Sequence, residues 1–134
     1  MIYGMSSDIK SMIADYMEKG FLENIIDMFK NDHSLYCLVG ELINDERMRV
    51  RLGTAALVET LSKDDPDNIA NAVPGIAAFL KSDNPTIRGD AAYLLGITGS
   101  FEAMPFLAEL ADDDNLTVRE IVREAIEEIK VKGS

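Results

Sequence analysis

The sequence predicts an all-α fold, an α-α superhelix or solenoid of about eight helices, and three observations predict it. Apolar residues recur three and four positions apart almost everywhere, and stretches rich in Val, Ile and Thr at period 2 are absent. The six residues DNPTIR (83–88) return 31 positions later as DNLTVR (114–119). At 134 residues and 47% hydrophobic, the chain suits one domain, spanning 1–134, with a core that needs no disulfides.

Each element follows from local signals. A first helix is predicted over 7–18, with SSD offering caps and KG ending it. The second covers 21–29 and puts Leu22, Ile25, Ile26 and Phe29 on one face before KNDHS breaks it. The third runs over 35–43. The fourth, 47–61, ends at SKDDPDN, where Pro66 and its polar neighbours form the clearest interior linker. The fifth covers 69–81. The sixth begins near Pro85, which suits a first turn because its missing N–H would be unpaired there, and closes at Gly96 and Gly99. The seventh and eighth cover 101–111 and 116–131. Residues 1–30 read as N-terminal capping helices, and 35–62, 68–98 and 101–131 as three repeats.

The repeat is longer than six residues. A shift of 31 lays AVPGIAAFLKSDNPTIR (72–88) on AMPFLAELADDDNLTVR (103–119) without a gap, Pro74 on Pro105, Asp83 on Asp114 and Arg88 on Arg119. A shift of 37 brings Arg88 onto Arg51 and finds a fainter copy, LYCLVGELINDERMRVR (35–51). After each Arg, positions +3, +6, +7 and +10 read Thr54, Leu57, Val58, Leu61, then Ala91, Leu94, Leu95, Thr98, then Val122, Ala125, Ile126, Ile129. These share one helical face. A unit of two helices, neither able to bury its apolar face alone, is the signature of an α-solenoid.

The stretch DNPTIRGDAAYLLGITGSFEAMPFLAELADDDNLTVR resembles the armadillo-like HEAT repeats, and within them the short class of bilin-lyase-like proteins. The likeness is carried by the Pro in the first helix, the Asp ending the turn, the Val/Ile-Arg pair opening the second helix and the Ala-Ala after it. It is strongest over 68–131, fair over 35–62 and poor over 1–30. It implies that turn Asp and second-helix Arg residues form a hydrogen-bonded ladder, here Asp83, Arg88, Asp114 and Arg119, with Arg51 in the first copy. Physically, Asp before a helix accepts from free backbone N–H groups, and a partly buried Arg fork pairs with a carboxylate next door. A ligand site used twice is the rival reading.

Function classes are narrowed by charge. The formal net charge of −11 disfavours nucleic acid and anionic membrane surfaces, since both need clustered Lys and Arg. No apolar run approaches the roughly 20 residues of a membrane span, and a single cysteine, Cys37, fits a reducing, cytoplasmic setting. His33 and Cys37, four apart, suggest a dyad or half a zinc site, but no further His or Cys completes one. The acidic runs DDD (112–114) and DDPD (64–67) lack the ligand pattern of a calcium loop, and no phosphate-binding glycine motif occurs. One histidine cannot supply the His-Glu pairs of the iron-dependent hydroxylase branch that shares the fold.

The expectation is therefore a non-catalytic protein-binding or assembly module without cofactor or metal; the alternative is a bilin-lyase-like enzyme or subunit that handles a chromophore or cofactor. By phase from each Arg, the candidate binding residues on a concave face are Leu52, Ala56, Asp90, Tyr93, Ile97, Glu120 and Glu124. Leu52 and Tyr93 are the anchors, and the acids beside them suggest a basic partner. Glu120, Arg123, Glu124, Glu127 and Glu128 make the last helix polar, as a terminal cap requires. The methionines Met1, Met5, Met12, Met17 and Met28 suggest a weak homodimer through the N-terminal helices, with a monomer as the simpler state.

Overall fold

The computed structural model describes the backbone of residues 2–133 and the side chains of residues 8–133. Met1 and the Met5 side chain, two of the expected dimer residues, lie outside them. Eight α-helices and no strand occur among the described residues. They are α1 (Ile2–Glu18), α2 (Leu22–Asn31), α3 (Val39–Ile43), α4 (Met48–Asp64), α5 (Val73–Ala77), α6 (Pro85–Thr98), α7 (Met104–Ala108) and α8 (Leu116–Lys132).

Three predicted helices are each broken into a 3₁₀ turn and a short α segment: His33–Leu38 before α3, Ile69–Ala72 before α5, and Phe101–Ala103 before α7. Pro74 and Pro105 explain two of the breaks. A proline inside a continuous helix has no N–H to donate and meets the carbonyl four residues back, so it sits instead in the first turn of α5 or α7. The fourth helix outruns its prediction by three residues and stays helical until Pro66 stops it, its Ser62 hydroxyl donating back to the Val58 carbonyl at 2.7 Å. The first helix begins five residues before the predicted start, its Ser6 and Ser7 lying inside the helix instead of capping it.

The helices pair into two layers. α3, α5 and α7 form one, α4, α6 and α8 the other, and α1 and α2 pack on the free side of α4. The face predicted by phase is the core: Leu57, Val58, Leu61, Ala91, Leu94, Leu95, Val122, Ala125 and Ile129 are buried, and Ile126 is half-buried. Each fully buried Leu or Ile contributes roughly 1.5–3 kcal/mol. The buried hydroxyls of Thr54 and Thr98 donate to the carbonyls of Val50 and Leu95, at 2.7 and 2.6 Å, so neither is left without a partner. Met17 belongs to the core, not to a dimer face: it is 4% exposed and fills the space beside Gly53 of α4.

Spacing between neighbouring pairs is uneven. On the first layer α3 and α5 touch backbone to backbone: a Cβ on Gly40 would stand 2.1 Å from the Gly75 carbonyl oxygen. On the second layer α6 lies against α8 along its length, and a Cβ on Gly96 would come within 2.9 Å of Ala125. α6 ends at Gly99, whose φ of 67° is the left-handed conformation that glycine takes without strain. α6 meets α4 much less extensively than it meets α8.

Candidate functional site

The repeated motif is a turn held by its arginine. Nη1 of Arg51, Arg88 and Arg119 donates to the carbonyl six residues back, that of Asp45, Ser82 and Asp113, at 2.7, 2.9 and 2.6 Å. The side chains of those same three residues accept from the backbone N–H two residues on, at 2.8, 3.1 and 3.0 Å. The next residues cap the helices: Asn84 accepts from the Thr86 N–H at 2.9 Å and Asn115 from the Val118 N–H at 3.0 Å.

This corrects the expected roles of Asp83 and Asp114. Neither is the cap. The rung between the second and third pairs is formed by Arg88 and Asp113, whose Nε–Oδ1 and Nη2–Oδ2 distances are both 3.0 Å. Asp114 adds a contact of 3.2 Å but is almost wholly exposed. Both members of the Arg88–Asp113 pair are largely withdrawn from solvent, and the guanidinium holds the Asp113 carboxyl below the usual carboxylate range. The acceptor lies one residue before the motif that stands out in the sequence, in a column that reads Asp, Ser, Asp. Ser82 leaves the first and second pairs without an equivalent carboxylate.

The contact between α4 and α6 differs from that between α6 and α8 in the residues that face each other. Toward α8, α6 presents Gly89, Ala92 and Gly96, small enough for close approach. At the equivalent positions α4 presents Leu52, Ala55 and Glu59 toward α6, and α8 presents Glu120, Arg123 and Glu127. Between α4 and α6 lies a cleft of two open grooves. The upper groove encloses about 320 Å³ and is lined by Met48, Arg51, Leu52 and Ala55 of α4 and Thr86, Asp90 and Tyr93 of α6. The lower, of about 590 Å³, lies between the C-terminal halves of the same helices, with Glu128 and Lys132 of α8 at its edge. Tyr93 lines both.

Three of the candidate residues thus meet: Leu52, Asp90 and Tyr93. Leu52 is 64% and Tyr93 52% exposed. Asp90 is half-buried and receives no hydrogen bond from any described residue. Burial pushes its carboxyl up, and the nearby Arg51 charge offsets this in part. Arg51, expected only in the ladder, also forms a wall of the groove. The other candidates separate. Ile97 is buried, at 9% exposure, and floors the lower groove; it is no surface anchor, because its side of α6 faces α4. Ala56 is half-buried one turn after Gly53, on the side of α4 that meets α1. Glu120 and Glu124 are exposed on α8 but belong to other surface hollows.

Met48, 65% exposed, escaped the phase reading because it precedes the arginine. Its spacing was visible, since Met48, Leu52, Ala55 and Glu59 follow one another by four, three and four and so share a face.

The groups that suggested chemistry are occupied elsewhere. The Cys37 thiol donates to the Ser34 carbonyl at 3.1 Å, while His33 Nε2 lies 3.5 Å from Asp65 Oδ2, so the two side chains serve different partners. Asp65 also accepts from the Tyr36 hydroxyl at 2.6 Å and the Asn68 amide at 2.8 Å, which lowers its pKa. The Tyr36 hydroxyl is raised well above its ordinary value, by burial first and by that carboxylate second. No three or more His, Cys, Asp and Glu side chains converge as a metal site would require, and no helix is long and apolar enough to cross a membrane, among the described residues.

No curated protein matches the chain. The profile of the HEAT repeats matches residues 38–127, about two thirds of the sequence, and takes in the three helix pairs up to the last turn of α8, together with the Arg-held turns between their helices. By that match, and by the paired helices and turns that account for it, the chain belongs to the HEAT-repeat family.

Proposed function

We propose that the chain is a non-catalytic protein-binding module whose site is the α4–α6 cleft and whose partner is a protein segment of basic character. The observation that carries this is the gathering of Met48, Leu52 and Tyr93 around one groove. Each is more than half exposed, and each comes from a position where the two neighbouring helices fail to close. Scattered apolar side chains on a surface are ordinary, but a cluster beside a groove fits a binding anchor. Stacked helical pairs also offer partners an extended surface, which supports the same reading. The two grooves are partly open to solvent, as an interaction surface would be. The free thiol of Cys37 is compatible with a cytoplasmic setting.

Affinity capture from native extract tests the site. A reproducible protein partner retained by the wild type and lost on Tyr93→Ala is the expected result. A partner that binds both forms equally would remove the cleft from consideration.

A further inference from the structure

Asp90 is the odd group in the cleft. Its carboxylate stands beside Leu52 and Tyr93, half withdrawn from water, and no described residue donates to it. Its opposite charge is Arg51 of α4, whose Nη1 is already committed to the Asp45 and Glu46 carbonyls at 2.7 and 2.8 Å. From the α8 side, Asn115, Thr117 and Ile121 approach it and bring no charge. A carboxylate kept partly dry and unpaired is costly, and a cation delivered by a ligand removes that cost.

We infer that the upper groove takes one lysine or arginine side chain of the partner, its aliphatic stem laid between Leu52 and Tyr93 and its cationic head on the Asp90 carboxylate. This rests on the cleft being the binding site. Arg51 shares the groove, with its Nη1 turned to the Asp45 and Glu46 carbonyls, and the remaining walls match such a side chain in order. Met48 and Leu52 suit methylene groups, the Tyr93 ring offers a face to a cation, and Asp90 accepts its N–H groups. An acidic anchor would meet Asp90 directly. A second copy of this chain is a poor occupant too, because it carries a net charge of −11 toward a surface of the same sign. The occupant is therefore a different, basic protein segment with a Lys or Arg next to an apolar residue.

A displayed random-peptide library selected on the full chain tests this, with the selected peptides then measured against Asp90→Asn, Asp90→Glu, Leu52→Ala and Tyr93→Ala. Peptides sharing a Lys or Arg beside an apolar residue are expected. Their affinity should fall about 10- to 100-fold on Asp90→Asn, as for loss of a charge-assisted hydrogen bond, and recover in part with Asp90→Glu. An alkylguanidinium salt titrated into the labelled protein should shift the resonances of Asp90, Tyr93 and Leu52, and should no longer do so after Asp90→Asn. Unchanged melting of Asp90→Asn excludes misfolding as the cause. Selected peptides that lack a basic residue, or that bind Asp90→Asn as well as wild type while losing Tyr93→Ala, overturn the cationic anchor and leave the cleft standing. Peptides indifferent to both Tyr93→Ala and Leu52→Ala overturn the two together.

Discussion

Replacing Gly40 by alanine tests the packing that fixes how the first two helix pairs meet. The added Cβ would stand 2.1 Å from the Gly75 oxygen, 2.5 Å from its carbonyl carbon and 3.0 Å from the Ile76 nitrogen. Non-bonded atoms rest at roughly 3.5 Å, so α3 and α5 must part by more than ~1 Å. All three obstructing atoms are backbone, so no side chain can turn aside. Overpacking of this kind costs about 3 kcal/mol, at the upper end of the usual range. Alanine returns about 1 kcal/mol through its better helix propensity. The net loss is about 2 kcal/mol, or a fall in Tm of about 8 °C for a chain of this size. Thermal and urea melts followed by circular dichroism measure it, with the urea slope expected to stay constant. Gly20→Ala is the control. Its φ of 88° makes alanine strained, but nothing stands within 4 Å of the new Cβ, so the cost is about 1 kcal/mol. If Gly40→Ala melts within ~2 °C of wild type at constant slope, the close α3–α5 contact is not what holds the pairs together.

Other substitutions probe the ladder and the cleft. Ser82→Asp places a carboxylate where Asp113 stands in the following pair; Tm is expected to rise by roughly 2–6 °C, and a rise that persists in an Arg51→Met background would show that no rung had formed. Asp45, Asp65 and Asp113 all have lowered pKa values, so the stability they contribute is present above the ordinary carboxylate range near ~4 and is lost as pH falls through their folded values. Asp113→Asn should therefore melt below wild type near pH ~7, with the gap narrowing toward pH ~3; a gap independent of pH would deny the charged rung its role. Asp90 has the opposite sign: its raised pKa means that the charged form weakens the fold at neutral pH. Asp90→Asn is expected to melt at or above wild type near pH ~7, the advantage fading as acid protonates Asp90, and a clear loss of stability would reveal an interaction that holds the carboxylate in place. Leu52→Ala and Tyr93→Ala, both at exposed sites, should change stability by less than about 0.5 kcal/mol, so that any loss of binding reports on the surface and not on folding.

Much of the fold was legible because helices are specified locally. The positions three, six, seven and ten after each arginine are buried, Ile126 only half so, and the prolines Pro74 and Pro105 act within a single turn of chain. Two of the three breaks in the first-layer helices were also written in the prolines, but reading them needed the carbonyl four residues back. The misplaced cap and rung had a different origin. Asp83 and Asp114 stand out by identity, whereas the acceptor column, Asp45, Ser82 and Asp113, is marked by what its side chain touches two residues on and one helix pair away. Ile97 could be placed on the right side of its helix by phase, yet whether that side was open or covered depended on α4.

By itself the sequence determined that this chain is a stack of paired helices, which face is buried on the second helix of each pair, and where the turns lie. Periodicity and turn chemistry act over a few residues and survive without knowledge of the neighbours. Only the tertiary structure decided how far apart those neighbours stand. That distance is set by two facing surfaces at once: glycines and alanine let α6 close on α8, whereas α4 and α6 meet without such a matched small-residue face. The cleft holding Leu52, Asp90 and Tyr93 is a property of that mismatch, and no one helix carries it alone.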